Sequence, residues 1–296
     1  MREFVRNAYR AVLRREPDDE ALAWATTELE SGALSRAGLV TQLVESDEFA
    51  ALRALDDALA LAARARAQGI RPRELAAPPR TDERLVEIPW VLARYAGEPR
   101  VVDVGYANAA PAYLEALVAA APGEVLGLDP VAAEVPGVRA VVGDLRALPF
   151  KDASVDVLLC ISTIEHVGRD NRVYGAEEEH DESGILTALR EIRRVARRAL
   201  VTVPVGAQED HGWFVQLPVE TWRSLFEQSA LAIVEDELYV LGDDGWRSAG
   251  DATGLRYQER GPAASAVYCV ELRAFEEPGV GAAAAGAERD DETERE

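Results

Sequence analysis

The sequence predicts a doubly wound α/β fold with a seven-stranded, mostly parallel sheet, preceded by a small all-α domain. From residue 100 onward, short apolar runs alternate with helical segments, which is typical of a parallel sheet with helices on its faces. Residues before about 68 show helical periodicity and little else. The chain has 296 residues, enough for one α/β domain and a small accessory module.

The N-terminal segment predicts three or four short amphipathic helices. Apolar residues recur at helical spacing from Phe4 to Leu13, and Pro17 ends this first helix. The second helix is expected to end at Gly32. We therefore predict a small helical accessory domain over residues 1–68. Candidate helix caps in it are Asp18, Asp19, Ser35 and Ser46.

A spaced motif in this segment carries a resemblance to a known domain. The sequence reads F-V-x-x-x-Y-x-x-x-L-x-R-x-P-D, then a tryptophan, then S-G-x-x-S-R and E-S-D-E-F. Over residues 3–55 it resembles a small helical domain of unknown function that recurs in bacterial surface-associated and glycan-related proteins. The motif contains no catalytic pattern, so the resemblance implies packing, docking of a protein partner or self-association through this domain.

The acidic composition excludes several classes of partner. The chain has 32 Lys and Arg against 53 Asp and Glu, a net charge of -21 that repels nucleic acid and anionic membranes. No window approaches the roughly 20 apolar residues of a membrane helix. The N-terminus has no apolar stretch of signal-peptide length, so we expect a cytoplasmic protein.

The census of lysine and cysteine excludes further classes. Lys151 is the only lysine and is not preceded by glycine, so the chain has no phosphate-binding P-loop. Ala147 stands where the Tyr-x-x-x-Lys pair of short-chain dehydrogenases would need tyrosine. Cys160 and Cys269 lie in apolar runs and are expected to be buried thiols, so neither a disulfide nor a metal site is predicted.

Seven strands are expected in the α/β domain, which we place at residues 98–275. A linker and a leading helix precede it at 69–97, and an acidic tail at 276–296 is expected to be disordered. Pro111 falls in the first turn of the helix after the first strand. The predicted strands are Arg100 to Val104, Val125 to Asp129, Ala140 to Val142, Val155 to Ile161, Leu200 to Val205, Ile233 to Leu241 and Ala266 to Leu272.

Four candidate segments follow the first four strands. Ligands of open parallel sheets bind beyond the carboxyl ends of the strands. The segments are D-V-G-Y-A-N-A from Asp103, G-L-D-P ending the second strand, G-D-L from Gly143 and C-I-S-T-I-E-H from Cys160. In this order they resemble the class I S-adenosylmethionine-dependent methyltransferases over residues 98–273. The resemblance implies a Rossmann-like fold and S-adenosylmethionine as the cofactor.

The resemblance assigns a part of the cofactor to each segment. The turn at Gly105 brings backbone close to the methionine portion, and Asp129 is placed to accept hydrogen bonds from both ribose hydroxyls. Asp144 is expected to accept a hydrogen bond from the adenine amino group while Leu145 packs on the ring. The candidate cofactor-binding residues are Asp103, Gly105, Tyr106, Ala107, Asp129, Asp144, Leu145 and Cys160.

The glycine turn departs from the pattern of the family. The usual turn is Gly-x-Gly-x-Gly, whereas this chain has Gly105, Ala107 and Ala109, and each methyl group could crowd the cofactor. This departure motivates an alternative, a non-catalytic scaffold of methyltransferase shape that docks through its helical domain. The same turn disfavours a nicotinamide oxidoreductase, because the pyrophosphate needs close backbone approach at the second glycine.

The three histidines all follow the fourth or fifth strand, on the expected ligand side of the sheet. His166, in I-E-H-V, is the first candidate for a base that takes a proton from the acceptor, and His211 is the second. The alternative for His166 is packing against a helix. Glu165 and Ser162 also fit a capping box that would close a helix start. The remaining histidine, His180, fits no metal motif.

Two polar segments could recognise the acceptor. Residues 168–182 form a loop longer than a compact domain needs, so it is either a lid or a solvated insertion. Trp213 could stack on a flat acceptor, whereas Trp222 and Phe226, one helical turn apart, are expected in the core. Loop side chains able to bind a polar acceptor are Asp170, Asn171, Arg172 and Tyr174.

The sequence therefore predicts an enzyme that transfers a methyl group from S-adenosylmethionine to oxygen or nitrogen of a small polar acceptor. A sugar or glycan precursor is the expected acceptor, because of the polar loop, the aromatic residues and the proteins in which the helical module recurs. The scaffold remains the alternative function.

Overall fold

The computed structural model describes residues 1–176 and 180–274, so the predicted tail at 276–296 lies outside the described residues. The helices are α1 (Arg2–Leu13), α2 (Asp19–Ser31), α3 (Arg36–Val44), α4 (Asp47–Ala67), α5 (Arg84–Arg94), α6 (Pro111–Ala120), α7 (Gly184–Val195) and α8 (Val219–Gln228). The strands are β1 (Val101–Val104), β2 (Val125–Asp129), β3 (Val138–Val142), β4 (Val157–Ile161), β5 (Arg198–Pro204), β6 (Glu209–Asp210), β7 (Val215–Gln216), β8 (Leu231–Gly242), β9 (Gly245–Ser248) and β10 (Ala266–Ala274).

The N-terminal helices begin at side-chain caps. Asp18 caps α2, and Ser35 and Ser46 cap α3 and α4; each accepts a hydrogen bond from a backbone N–H three residues on, at 2.7, 2.9 and 3.2 Å respectively. Gly32 follows α2 in the left-handed conformation, with φ 77°. These contacts confirm the predicted caps and the predicted end of the second helix.

Helix α4 joins the helical domain to the α/β domain. Helices α1 to α3 form their own hydrophobic cluster, against which Phe49 and Leu52 at the start of α4 pack. Near the other end of α4, Ala62 and Ala65 are buried in a different cluster, which contains α5, α6 and one face of the sheet. The two parts of the chain therefore share one continuous helix.

The sheet confirms the predicted fold class but has eight strands instead of seven. Its order is β3-β2-β1-β4-β5-β10-β8-β9, with β1 to β5 parallel and β10 antiparallel to both of its neighbours. The expected seven strands were wrong by one, because β8 turns back sharply after Gly242 and continues as β9. Trp246 anchors β9: it is fully buried, it pairs with Ala77 of the linker, and its Nε1 donates to the carbonyl of Thr81 at 3.1 Å.

Helices cover both faces of the sheet. Helices α4 to α6 pack on one face and α7 and α8 on the other, which is the doubly wound arrangement. Trp222 and Phe226 of α8 are fully buried with ring centroids 6.1 Å apart, so their predicted core position is confirmed. In the described part of the chain, no helix is long and apolar enough to cross a membrane.

Candidate functional site

A cleft lies at the carboxyl ends of β1 to β4 and extends to α5. Its empty volume is about 1120 Å³, including the part that is open to solvent. The residues that follow the four strands line one side, and Arg84 and Glu87 of α5 contribute to the lining. The sequence-predicted site residues that line the cleft are Asp103, Gly105, Asp129, Asp144, Leu145 and His166.

The turn after β1 approaches the loop after β4 so closely that only glycine fits. Gly105 has φ 80°, and a Cβ atom on it would lie 2.5 Å from Oγ1 of Thr163. The Thr163 hydroxyl lies 2.8 Å from the carbonyl of Ile161, to which it donates. The predicted glycine turn thus fixes the spacing between the two loops that form the floor of the cleft.

Asp103 presents a buried carboxylate oxygen without a partner. The side chain is 2% exposed, and its Oδ1 accepts a hydrogen bond from the Tyr113 hydroxyl at 2.7 Å. Among the described residues, Oδ2 has no hydrogen-bond partner. Burial raises the pKa of Asp103 to about 7. A ligand ammonium group at this position would satisfy Oδ2 and stabilise the ionised carboxylate.

Asp129, at the end of β2, is held in place by backbone groups. Its Oδ1 accepts from the backbone N–H of Val131 at 3.0 Å, and its Oδ2 from that of Ala107 at 3.3 Å. Burial raises the pKa of this carboxyl above its usual value. Each oxygen retains a lone pair, so the oriented carboxylate can still accept hydrogen bonds from two hydroxyl groups.

The carboxylate of Asp144 is already bound by Arg146, whereas the side chain of Leu145 can contact a ligand. Arg146 binds the Asp144 carboxylate through Nη2 at 2.6 Å and through its backbone N–H at 2.7 Å. Although burial raises the pKa of Asp144, these bonds and the charge of Arg146 lower it overall. Leu145 is buried and lines the cleft beside it, where its side chain offers an apolar surface to a flat ring.

Three residues predicted to bind the cofactor do not line the cleft: Tyr106, Ala107 and Cys160. The Tyr106 ring covers Gly127 of β2, and its hydroxyl hydrogen-bonds both backbone groups of Ala133. Cys160 is fully buried in the sheet core. Ala107 reaches Asp129 through its backbone N–H alone. We assign these three residues to the scaffold of the site.

The alanines of the glycine turn adopt conformations that any L-residue can take. Ala107 lies in the short 3₁₀ turn Tyr106–Asn108, and Ala109 follows it with φ −73° and ψ 155°. Only Gly105 in this turn has positive φ. The missing glycines therefore cost no backbone strain, and of the two methyl groups that of Ala109 belongs to a residue of the cleft lining.

His166 is a neutral imidazole whose tautomer is set by one hydrogen bond. Its Nδ1 lies 2.8 Å from the carbonyl of Trp213, so Nδ1 carries the proton and donates, and Nε2 is left as the acceptor. Burial lowers the pKa of His166 to about 4. The ring contacts Tyr174 edge-on, with centroids 5.3 Å apart, and lines the cleft. A neutral, oriented imidazole of this kind can take a proton through Nε2.

The capping box expected at Ser162 and Glu165 does not form. A 3₁₀ turn, Ile164–His166, begins there without a side-chain cap, because the Ser162 hydroxyl donates instead to Glu87 at 2.6 Å. Glu165 is 2% exposed, and burial raises its pKa well above the usual value. Its Oε1 lies 3.9 Å from Nε2 of His166.

Part of the loop at residues 168–182 lines the cleft. Asn171, Tyr174 and Ala176 line it, and the Asn171 amide donates to the backbone carbonyl of His166 at 2.9 Å. The loop is closed at its base, where the backbone N–H of Asp181 donates to the carbonyl of Gly168 at 3.0 Å. Residues 177–179 of the loop lie outside the described residues. The other two named loop residues, Asp170 and Arg172, form an exposed ion pair.

The second base candidate lies outside the cleft. His211, in the β6–β7 hairpin, stacks on Phe214 with ring centroids 4.5 Å apart. Trp213 packs beside His166 at 5.1 Å and also contacts Tyr257, so it supports the cleft from behind. Of the two candidate bases, only His166 is positioned to meet a ligand in the cleft.

Sequence reasoning missed two charged residues of the cleft, Arg84 and Glu87 of α5. Helix α5 is otherwise almost entirely apolar and buried, and Glu87 is 0% exposed. An acid within an apolar helix is a usable signal, because such a residue is rarely buried without a partner or a function. The sequence alone did not place this helix against the ends of β1 and β4.

The fold and the cleft together define a doubly wound α/β protein with a ligand site at the carboxyl edge of its sheet. Residues 102–199 match the family described as "Methyltransferase domain", and residues 1–53 match "Domain of unknown function (DUF4214)". Both resemblances drawn from the sequence are thereby confirmed. The chain is thus similar to a methyltransferase domain over residues 102–199 and to a DUF4214 domain over residues 1–53.

Solved structures with a similar fold include a Haloferax volcanii protein in complex with the Trm112 methyltransferase activator. It is 20% identical, the match covers 74% of this chain and 98% of that one, and the TM-score is 0.46. A Burkholderia thailandensis 1,6-didemethyltoxoflavin-N1-methyltransferase with bound S-adenosylhomocysteine is 14% identical; the match covers 92% of this chain and 91% of that one, with a TM-score of 0.41. A Methanosarcina mazei S-adenosylmethionine-dependent methyltransferase is 11% identical; the match covers 61% of this chain and 94% of that one, with a TM-score of 0.40. No curated protein sequence matches the chain.

Proposed function

We propose that this protein transfers a methyl group from S-adenosylmethionine to oxygen or nitrogen of a small polar acceptor. The observation that carries the proposal is the unpaired, buried Oδ2 of Asp103, beside the Gly105 turn and in one cleft with Asp129. S-adenosylmethionine presents an ammonium group, two ribose hydroxyls and a flat adenine, which match the charge and hydrogen-bonding capacity of this cleft.

Each part of the donor has a candidate partner in the chain. Asp103 would hold the ammonium group of the methionine portion, because its free oxygen is otherwise a costly buried acceptor. Asp129 would accept hydrogen bonds from the ribose hydroxyls, and Leu145 would pack on the adenine. Arg146 already binds the carboxylate of Asp144, so we expect Asp144 to add little to donor affinity.

The donor supplies a sulfonium methyl group, and the chain aligns the acceptor with it and excludes water. His166 is our candidate for the base that takes a proton from the acceptor, because its Nε2 is free to accept while Nδ1 donates to Trp213. Tyr174 and Asn171 of the loop close the acceptor side of the cleft.

Calorimetric titration with S-adenosylmethionine and S-adenosylhomocysteine tests the donor site. We expect binding by the full chain that is lost or strongly weakened in Asp129→Ala. Asp57→Ala, on the exposed face of α4, is the matched control and should bind as the wild type does. A folded wild-type protein that binds neither ligand would contradict the proposal.

A second candidate function is a scaffold that no longer binds the donor. The methyl group of Ala109 in the cleft and the Arg146 side chain on Asp144 favour it, since both reduce what the cleft offers to a cofactor. The same titration separates the two functions, because the scaffold predicts no binding by wild-type protein.

A further inference from the structure

Glu87 is a buried acid of the cleft lining, and the proposed binding of the donor gives its carboxyl no role. It lies on α5 and is 0% exposed, and its Oε1 accepts a hydrogen bond from the Ser162 hydroxyl at 2.6 Å. Among the described residues, its Oε2 has no hydrogen-bond partner, although the Thr202 hydroxyl lies close enough to the carboxyl to lower its pKa. A buried carboxyl oxygen of this kind is stabilised when a ligand donates a hydrogen bond to it.

Glu87 lines the same cleft as the glycine turn and the candidate base His166. Ser162, its partner, is followed by Thr163, whose side chain packs against the Gly105 turn. His166 follows on the same segment and lines the cleft. The carboxyl of Glu87, the glycine turn and the candidate base therefore share the lining of one cavity.

Three acids lie close together at Glu87, and burial raises the pKa of each. Glu83 immediately precedes α5; it is buried and accepts a hydrogen bond from the backbone N–H of Ala264 at 3.2 Å. Glu165 is buried, and among the described residues its Oε2 has no partner. The nearby cation, Arg84, already pairs with Asp82 at 3.2 Å. Burial raises the pKa of Glu87 to about 8, and repulsion from Glu83 is a second, smaller cause. An ammonium group of a ligand would stabilise the ionised form of Glu87.

Aromatic rings form the wall beside these acids. His166 and Tyr174 line the cleft, and Trp213 packs behind them with a ring centroid 6.0 Å from that of Tyr174. Because His166 is neutral, it does not repel a cation, and aromatic faces attract one. The cleft thus offers both a carboxyl acceptor and an aromatic surface to a positively charged group.

From these contacts we infer that the acceptor is a primary or secondary amine, which binds as an ammonium group with a hydrogen bond to Oε2 of Glu87. This inference rests on the proposed methyl transfer and narrows its acceptor to nitrogen. A neutral sugar hydroxyl would not stabilise the ionised form of Glu87 as an ammonium group does.

The proposed transfer balances in protons and electrons. With an amine acceptor the base is Glu87 in place of His166: the ammonium group gives one N–H proton to the ionised carboxylate of Glu87, which frees the nitrogen lone pair. The lone pair forms the N–CH₃ bond as the S⁺–CH₃ bond breaks, and the electron pair of that bond stays on sulfur. The positive charge passes from sulfur to the methylated nitrogen, and Glu87 later releases its proton to solvent.

Sinefungin is the probe, because it carries an amine where S-adenosylmethionine carries the transferred methyl. Calorimetry on the full chain would compare sinefungin, S-adenosylmethionine and S-adenosylhomocysteine in wild type, Glu87→Gln and the control Glu115→Gln, an exposed residue of α6. We expect wild type and Glu115→Gln to bind sinefungin about tenfold more tightly than S-adenosylhomocysteine, as a charge-assisted hydrogen bond provides. In Glu87→Gln this preference should fall to about twofold or less, with S-adenosylhomocysteine affinity changed by no more than about twofold.

Other results would overturn the inference. If Glu87→Gln weakened the binding of all three ligands equally, Glu87 would contact the methionine portion that they share. If it weakened the binding of sinefungin and S-adenosylmethionine equally, Glu87 would interact with the positive charge at the sulfonium position. If wild type bound none of the three, the proposed donor site itself would fail. Thermal melting verifies that Glu87→Gln is folded, and Glu87→Asp, which keeps the charge on a shorter arm, should show an intermediate preference.

Discussion

At the residue scale, the proposed function depends on a few buried side chains whose protonation is set by their surroundings. Asp103 and His166 are two of them, and burial shifts their pKa values to about 7 and about 4. Burial disfavours the charged form of each, so the acid is held protonated at higher pH and the base neutral at lower pH. Both effects can be measured without knowing the acceptor.

We expect donor affinity to rise with pH through about 7 because of Asp103. Below its pKa the free carboxyl is protonated, and it must lose that proton before it can bind the donor ammonium group. Calorimetry of S-adenosylhomocysteine binding between pH 5.5 and 8 should detect proton release and tightening binding. Asp103→Asn should remove this pH dependence and weaken binding by about 10- to 100-fold.

Tyr113→Phe is the control for the Asp103 measurement. It removes the hydrogen bond to Oδ1 but keeps the carboxyl, so the midpoint should move to higher pH without the loss seen in Asp103→Asn. A pH-independent affinity in wild-type protein would show that Asp103 does not meet the ammonium group.

His166 should remain neutral across the physiological range. Its ring is desolvated and its Nδ1 donates to the Trp213 carbonyl, so protonation begins only near pH 4. NMR of the histidine ring protons should give a His166 resonance that does not shift between pH 5.5 and 8. With three histidines in the chain, His166→Gln identifies that resonance by its loss. Titration with a midpoint near 6.5 would rule out the buried neutral base.

At the element scale, two loops and one helix shape the cleft. The β1–α6 turn, the loop that begins at Gly168 and α5 all contribute residues to the cleft lining, and α5 supplies Glu87. In the proposed function the turn would hold the donor and the loop would cover the acceptor. The loop can line the cleft because its two ends are joined by a backbone hydrogen bond between Asp181 and Gly168. This contact, rather than the polar composition of the loop, makes it a wall of the cleft.

Gly168→Ala should destabilise the protein by more than the backbone penalty of placing alanine at a positive φ. Gly168 has φ 75°, and a Cβ atom there would lie 2.2 Å from the carbonyl oxygen of Asp181. Gly254→Ala is a matched control, because Gly254 has φ 78° with nothing within 4 Å of its Cβ position. Chemical denaturation should show a loss of about 1–2 kcal/mol for the control and about 1–3 kcal/mol more for Gly168→Ala. Equal losses would contradict the assigned close approach.

At the scale of the whole molecule, the helical domain and the α/β domain are joined through α4. The first three helices have a core of their own, whereas Ala62 and Ala65 at the end of α4 are part of the core that supports α5. The helical domain can therefore carry a docking function without contacting the cleft, while α4 stabilises the helix that holds Glu87.

Two truncations test this division. Removal of residues 1–45 deletes α1 to α3 and should leave S-adenosylhomocysteine affinity within about twofold of wild type, because the deleted contacts are remote from the cleft. Removal of residues 1–68 also deletes α4 and exposes the apolar surface of α5 and α6, so the melting temperature should fall. If the shorter truncation abolished donor binding, the helical domain would belong to the site.

The sequence by itself determined the features that depend on neighbouring residues along the chain. The caps at Asp18, Ser35 and Ser46 form because a side chain meets an N–H three residues on. The carboxylates of Asp103 and Asp129 could be assigned to one edge because parallel strands end at the same side of a sheet. Local order and strand direction were enough for these inferences.

Only the tertiary structure decided which side chains meet across the chain. The Ser162 hydroxyl donates to Glu87 over a separation of 75 residues, and that contact replaces the expected capping box. Packing also keeps Tyr106 and Cys160 out of the cleft lining, and it places His166, but not His211, in that lining. Burial and hydrogen-bond partners set the pKa values and the charge of the site. Both arise from contacts between segments that are distant in sequence, so no local sequence pattern encodes them.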